Sequence, residues 1–198
     1  MILRGIKKKV EGKFTTLYNL IYENKNGKKK VYEMLSYDKN LSMKNKENLS
    51  GKSANSIVLF VFNKDKTKVL LNKEYRLSVN HEIYNTIAGL IEPNENYILA
   101  ARRELKEESG LDLVDIIEIL PSSFSAIGVS NEKSMTIICT ADGEIDSSKA
   151  GEDEELESFW VDKEKAKEIL EDRNGYIAAR TQMFLYFWLN WRENSDVK

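Results

Sequence analysis

Apolar and polar positions along the chain lay out most of its elements. Phe14 to Tyr22 and Lys30 to Tyr37 flank Asn26-Gly27. That dipeptide readily takes positive φ, so the two runs predict a β-hairpin. The stretch Asp38 to Asn55, rich in lysine, asparagine and serine, reads as a linker. Strands are predicted at Ser56 to Phe62 and Lys68 to Tyr75, joined by the turn Asn63 to Lys66, with a short strand around Tyr84 to Ala88. A helix from Asn96 to Ser109 places Ile98, Ala101 and Leu105 on one face, and Gly110 suits the left-handed position that ends it. Val114 to Pro121 and Ser134 to Ala141 read as strands around the loop Ser122 to Lys133, and Leu156 to Val161 as another. Asp162 caps a helix through Leu170, with Lys165 at its third position. The last helix covers Tyr176 to Trp191, where Phe184, Phe187, Trp188 and Trp191 are spaced to bury one side; a ligand-stacking surface is the other reading of that stripe. Strands interleaved with few helices predict an α+β fold. Its parts are a hairpin arm and linker over residues 1–52 and a main domain over residues 53–198.

Composition narrows the class. With 41% hydrophobic and 31% charged residues, 198 residues can build one sizeable core with an appendage. A net charge of −2 argues against a dedicated nucleic-acid binder. It hides an asymmetry, however. Residues 1–52 hold 13 lysines and arginines against 5 acids, and residues 141–172 hold 13 acids against 4 lysines. These read either as two solvated surfaces of opposite sign or as regions that pair electrostatically. The one cysteine, Cys139, lies in an apolar run and reads as a buried, inert thiol, which excludes an internal disulfide and fits a reducing compartment. No segment reaches the ~20 apolar residues that span a bilayer. The N-terminus lacks the apolar core of a secretory signal, so a cytoplasmic protein without membrane partners is expected. His81 is followed by Glu82 but by no second histidine four residues on, so no zinc-protease site is formed, and it reads as a loop residue.

Candidate chemistry is concentrated in residues 89–111, GLIEPNENYILAARRELKEESGL. Glu104, Glu107 and Glu108 stand at i, i+3 and i+4, so their carboxylates project from one helix face. Three acids together repel one another unless a cation lies among them. An all-oxygen set suits Mg²⁺ or Mn²⁺, which in turn hold phosphate oxygens. Solvated helix charge is the plain alternative.

These residues resemble the Nudix box, G-x5-E-x7-R-E-U-x-E-E-x-G-U with U aliphatic. Gly89, Glu95, Arg103, Glu104, Glu107, Glu108 and Gly110 fall at every fixed position. The resemblance implies a Nudix-type α/β/α sandwich with a mixed sheet, preceded here by the hairpin module. It implies Mg²⁺ or Mn²⁺ held by Glu104, Glu107, Glu108 and the Ala88 carbonyl, with Glu107 and Glu108 catalytic. Gly89, Glu95, Arg103 and Gly110 then shape the box, Arg103 and Glu95 through a charge-assisted pair. Lys73-Glu74-Tyr75-Arg76 is similar to a segment of the ADP-ribose pyrophosphatase branch whose arginine contacts substrate phosphate, which makes Arg76 a substrate-binding candidate. Ser125 to Glu132 is similar to that branch's S-x-P-G-x-S-D-E loop, which makes Glu132 the candidate base and a further substrate contact. Two departures stand out: Ile127 replaces the loop proline, and Asn85-Thr86-Ile87-Ala88-Gly89 replaces the E-x-P-A-G entry to the box.

The activity implied is hydrolysis of a nucleoside diphosphate linked to another group, with ADP-ribose or a nucleotide sugar leading. Other readings stay open: a non-catalytic nucleotide-binding module, a pyrophosphatase for nucleoside triphosphates or dinucleoside polyphosphates, and a diphosphate isomerase. The last needs a cysteine at the site. Relatives of this branch often share N-terminal strands between subunits, which implies a homodimer through the hairpin, with Phe14, Tyr18 and Tyr32 at the contact; the other reading is that the hairpin packs on its own domain.

Overall fold

The computed structural model describes residues 1–50, 53–149, 151 and 155–190, Lys149 by its backbone alone. Trp191 of the expected aromatic stripe and residues 51 and 52 of the expected linker lie outside the described residues. Chain contacts divide the molecule into two compact units, Met1–Ser56 with Pro121–Met135, and Ile57–Leu120 with Thr136–Lys198.

In the first unit the expected hairpin is present, as β2 (Thr16–Glu23) and β3 (Lys29–Ser36). Gly27 at its turn has φ 75°, a left-handed conformation that glycine takes without steric cost. The expectation omitted a strand: β1 (Ile2–Glu11) pairs antiparallel with β2, so the module is a three-stranded sheet. Five of its ten residues are lysine, arginine or glutamate, which masks the alternation that marks a strand. Tyr18, Leu20, Met34 and Leu41 form the core on one face. Tyr18 is fully buried there, its hydroxyl donating to the Asp38 carbonyl at 2.9 Å, so it packs inside its own subunit rather than at a contact between copies. The opposite face pairs apolar residues across the strands, Val10 with Leu17, Leu17 with Leu35 and Ile21 with Val31. Val10, Val31 and Leu35 are exposed. Within the linker, Met43–Ser50 is a 3₁₀ stretch kinked at Asn45.

The second unit is built on β4 (Ser56–Asn63), β5 (Val69–Arg76), β6 (His81–Asn85), β7 (Ala88–Leu90), β8 (Asp112–Ile119), β10 (Lys133–Asp142) and β11 (Leu156–Val161). The two-residue β9 (Ser123–Phe124) lies in the first unit, as do Ser56 of β4 and the start of β10, where Lys133 pairs with Phe124. The strand order is β11-β5-β4-β10-β8, with β6 on β5 and β7 on β4. Among the described residues three helices cover the sheet: α1 (Tyr97–Ser109), α2 (Lys163–Glu171) and α3 (Ala179–Asn190). Side chains alternate along a strand, so β5 and β11 each face two ways. Val69, Leu71 and Val161 pack against Ala166, Ile169 and Leu185 of α2 and α3. Asn72 and Ser158 turn the other way, toward Glu108 of α1. Helices on both faces of a sheet make the α/β/α arrangement.

Two expectations change on the helices. In α1 the buried apolar residues are Ala100, Ala101 and Leu105, with Ile98 only half-buried. In α3 the fully buried residues are Thr181 and Leu185, while Phe187 is 57% exposed. Phe184 and Trp188 do pack on the core, so the helix turns an edge of the stripe inward rather than its centre. Each fully buried leucine contributes roughly 2 kcal/mol by leaving water. Among the described residues no helix is long and apolar enough to cross a membrane.

Candidate active site

The loop from Gly89 into α1 is set by local hydrogen bonds. Asn96 caps the helix, its Oδ1 accepting from the backbone N–H of Ile98 and Leu99 at 2.9 and 3.0 Å, donors the first turn leaves unpaired. Gly110 ends the helix at φ 74°, its N–H donating to the Lys106 carbonyl. A Cβ there would also lie 2.8 Å from the Asp146 backbone nitrogen, so both conformation and space select glycine.

Arg103 ties loop to helix. Its Nε and Nη2 donate to the two oxygens of Glu95 at 3.0 and 2.9 Å, and Nη2 also reaches the Leu90 carbonyl at 3.0 Å. Nη1 donates to Glu104 at 2.8 Å and to Glu107 at 3.1 Å. A planar guanidinium presents donors in two directions, which a lysine cannot. The hydrogen bond from Arg103 holds the Glu95 carboxyl below the usual glutamate range, and that bond in turn raises Arg103 above its already high value. Both stay charged at neutral pH.

The three glutamates of the helix face occupy different surroundings. Glu107 has a half-exposed side chain, 49% accessible. Glu104 presses on the loop: a Cβ on Gly89 would lie 1.8 Å from its Oε1, so glycine leaves room for that carboxylate where it stands. Glu108 is 7% exposed, and its Oε2 accepts a hydrogen bond from the amide of Asn72. As these side chains stand, no three acidic, histidine or cysteine groups among the described residues are gathered closely enough to hold one metal ion. Arg103 lies between Glu104 and Glu107 instead. The donors nevertheless fit a hard divalent cation, because all are oxygens and the Gly89 backbone is cut away where Glu104 lies.

A cavity of about 320 Å³ opens beside this helix, lined by Glu74, Tyr75, Arg76, Ala88, Glu108 and Glu155 among others. Arg76, Ala88 and Glu108, three residues singled out by sequence from segments far apart, thus meet at one opening. Arg76 Nη1 lies 3.6 Å from Glu74, and Glu74 accepts from the Asn85 amide at 2.6 Å. The Asn85 carbonyl accepts from the Thr86 N–H, Thr181 Oγ1 and Arg180 Nε at 2.9, 3.2 and 3.3 Å. Asn85, read from sequence as a departure from the E-x-P-A-G entry, is therefore a buried junction between α3 and the strand that carries Arg76.

Glu132 belongs to the first unit. Its Oε1 accepts from Ser56 Oγ at 3.2 Å. Ser56 Oγ is 2.8 Å from Ser134 Oγ, which is 2.7 Å from Ser125 Oγ, so a chain of hydroxyls anchors this acid. His81 is in β6 rather than a loop, stacked on Tyr176 with ring centroids 3.9 Å apart. Cys139 is fully buried, and burial pushes its thiol up to about 12, which leaves it a poor nucleophile at neutral pH. Sequence reasoning missed Asn72, Ser158 and Glu74. The available signal was polarity out of place: Asn72 follows Val69-Leu70-Leu71 in a strand that otherwise reads as core.

The profile described as NUDIX domain matches residues 52–181. An ADP-ribose pyrophosphatase of Saccharomyces cerevisiae (strain ATCC 204508 / S288c) is 28% identical over 193 residues, which cover 90% of this chain and 78% of that protein. A solved structure described as an ADP compounds hydrolase superposes with a TM-score of 0.68 at 21% identity, covering 93% of this chain and 90% of that one. The second likeness is one of fold.

Proposed function

The chain belongs to the NUDIX domain family, and from that we propose that it hydrolyses a nucleoside diphosphate linked to a second group, with ADP-ribose first among the substrates. The observation that carries this reading is the cavity where Arg76, Ala88 and Glu108 meet beside the box helix. The yeast relative's activity on ADP-ribose supports the choice of substrate.

Water attacks one phosphorus, the bridging P–O bond breaks, and the leaving phosphate keeps the bridging oxygen. Two phosphomonoesters result, a nucleoside monophosphate and a phosphorylated sugar. Glu104, Glu107, Glu108 and the Ala88 carbonyl would hold Mg²⁺ or Mn²⁺, which neutralises oxygen charge and lowers the pKa of water. Arg76 pairs with a phosphate oxygen as a fixed positive charge. Glu95 and Arg103 keep loop and helix in register. Glu132 takes the proton of the attacking water, a role assigned by its likeness to the branch's loop glutamate.

A panel of ADP-ribose, other nucleotide sugars, nucleoside triphosphates and dinucleoside polyphosphates, each with Mg²⁺ or Mn²⁺, tests the reading through chromatography of the products. ADP-ribose should give the highest kcat/KM, with AMP and ribose 5-phosphate in equal amounts. Bound metal without turnover of any diphosphate would instead make the chain a binding module.

We also propose that two copies associate through the outer face of the N-terminal sheet. The cross-strand row of Val10, Leu17, Ile21, Val31 and Leu35 supports this, since an apolar face of a sheet is stable when covered. Light scattering should give twice the chain mass, and Val31→Lys with Leu35→Lys should halve it. A monomeric parent protein defeats the idea.

A further inference from the structure

On the α1-facing side of the sheet, two polar side chains are buried where apolar residues would pack a helix more simply. Asn72 of β5 is fully buried and Ser158 of β11 is 4% exposed. Ser158 Oγ lies 2.6 Å from Asn72 Oδ1 and 3.0 Å from the Glu108 carbonyl oxygen. A hydroxyl has one proton to donate, and the shorter contact directs it to Asn72. With the Asn72 carbonyl engaged by Ser158, its NH₂ end faces Glu108 and donates to Oε2. Ser158 is itself held from behind, its backbone N–H donating to Ser147 Oγ at 3.0 Å.

We propose that Asn72 and Ser158 are positioning residues for Glu108. The hydroxyl sets the direction of the amide, the amide holds one carboxylate oxygen, and the carboxylate is presented to the cavity in one orientation. Neither residue touches substrate; both act through Glu108. The proposal rests on reading Glu108 as a ligand of the divalent cation.

The physical case is one of cost. A carboxylate buried this deeply needs a donor to replace water. An Asn–Ser pair in a sheet–helix interface gains less from burial than two aliphatic residues would, so packing alone does not account for it. A carboxylate that must keep its charge and orientation does. Partners of this kind that orient metal ligands typically raise metal affinity or activity by about 10- to 100-fold.

The test is a Mn²⁺ titration of the full chain followed by electron paramagnetic resonance, without substrate, on the parent protein, Glu108→Gln, Ser158→Ala and Asn72→Ala. Kinetics on ADP-ribose and thermal melts accompany it. Ser158→Ala and Asn72→Ala should melt cooperatively, bind Mn²⁺ about tenfold more weakly, and lose kcat while KM stays within about twofold, as expected for groups that serve the transition state. Glu108→Gln should lose the site. If the parent and Glu108→Gln bind Mn²⁺ equally, the reading of Glu108 as a ligand fails, and the proposal with it. If Glu108→Gln loses Mn²⁺ while Ser158→Ala and Asn72→Ala match the parent in affinity and kcat, the positioning roles alone are overturned. Should Asn72→Ala not fold, Ser158→Ala decides, since it removes a single oxygen.

Discussion

Glu108→Gln should remain folded and lose about 10²- to 10³-fold in kcat/KM, the larger part in kcat. Glutamine keeps the volume of the buried side chain, and its carbonyl still accepts from the Asn72 amide. The packing of Leu105 and Ala101 on the same helix is left alone, so the melting temperature should move by only a few degrees. What disappears is the negative charge. A divalent cation stabilises the developing charge of a phosphoryl transition state by several kcal/mol. Losing about 3–4 kcal/mol of it, at 1.36 kcal/mol per decade, gives the stated range. Product chromatography and a thermal melt on the same preparation check it. Activity within about threefold of the parent would remove Glu108 from the chemistry.

Arg103→Leu should cost about 2–4 kcal/mol of stability, because it leaves Glu95, Glu104 and Glu107 without their common partner. Breaking a buried ion pair costs roughly 3–5 kcal/mol. That figure is reduced here because Arg103 is 25% and Glu107 49% accessible. For a chain of this size the melting temperature should fall by about 5–10 °C. Arg103→Lys should recover little, since one ammonium cannot engage both Glu95 oxygens while reaching Glu104 and the Leu90 carbonyl. Calorimetry of the three proteins decides. A fall under about 2 °C in the leucine variant would mean that the loop is held by something else.

Much of this site was legible because it is local. The Asn96 cap, the Gly110 stop and the Glu95–Arg103 pair all connect residues within fifteen positions of one another. Their types and spacing follow from helix geometry alone, which places i, i+3 and i+4 on one face. The hairpin around Gly27 is equally local. β1 was not legible: its lysine-rich sequence carries no clear alternation, and it becomes a strand by pairing with β2. Likewise the aromatic spacing in α3 indicated burial but not which edge turns inward, since that depends on where Val69, Leu71 and Val161 lie.

The glutamates of α1 divide along the same line. Their common helix face follows from spacing, and so does the family to which the chain belongs. Their separate environments do not. Glu108 is buried because Asn72 and Ser158, 36 and 50 residues away, come from paired neighbouring strands. Glu104 is lodged against Gly89 because β7 passes under the helix. Arg76 reaches the same cavity because β5 ends there, steadied through Glu74 and Asn85 from the start of α3. Helical periodicity is a property of the covalent chain and its nearest hydrogen bonds, so sequence by itself determined the box. Strand pairing joins residues at any separation, so only the tertiary structure decided which carboxylate is shielded, which is exposed, and what holds each in place.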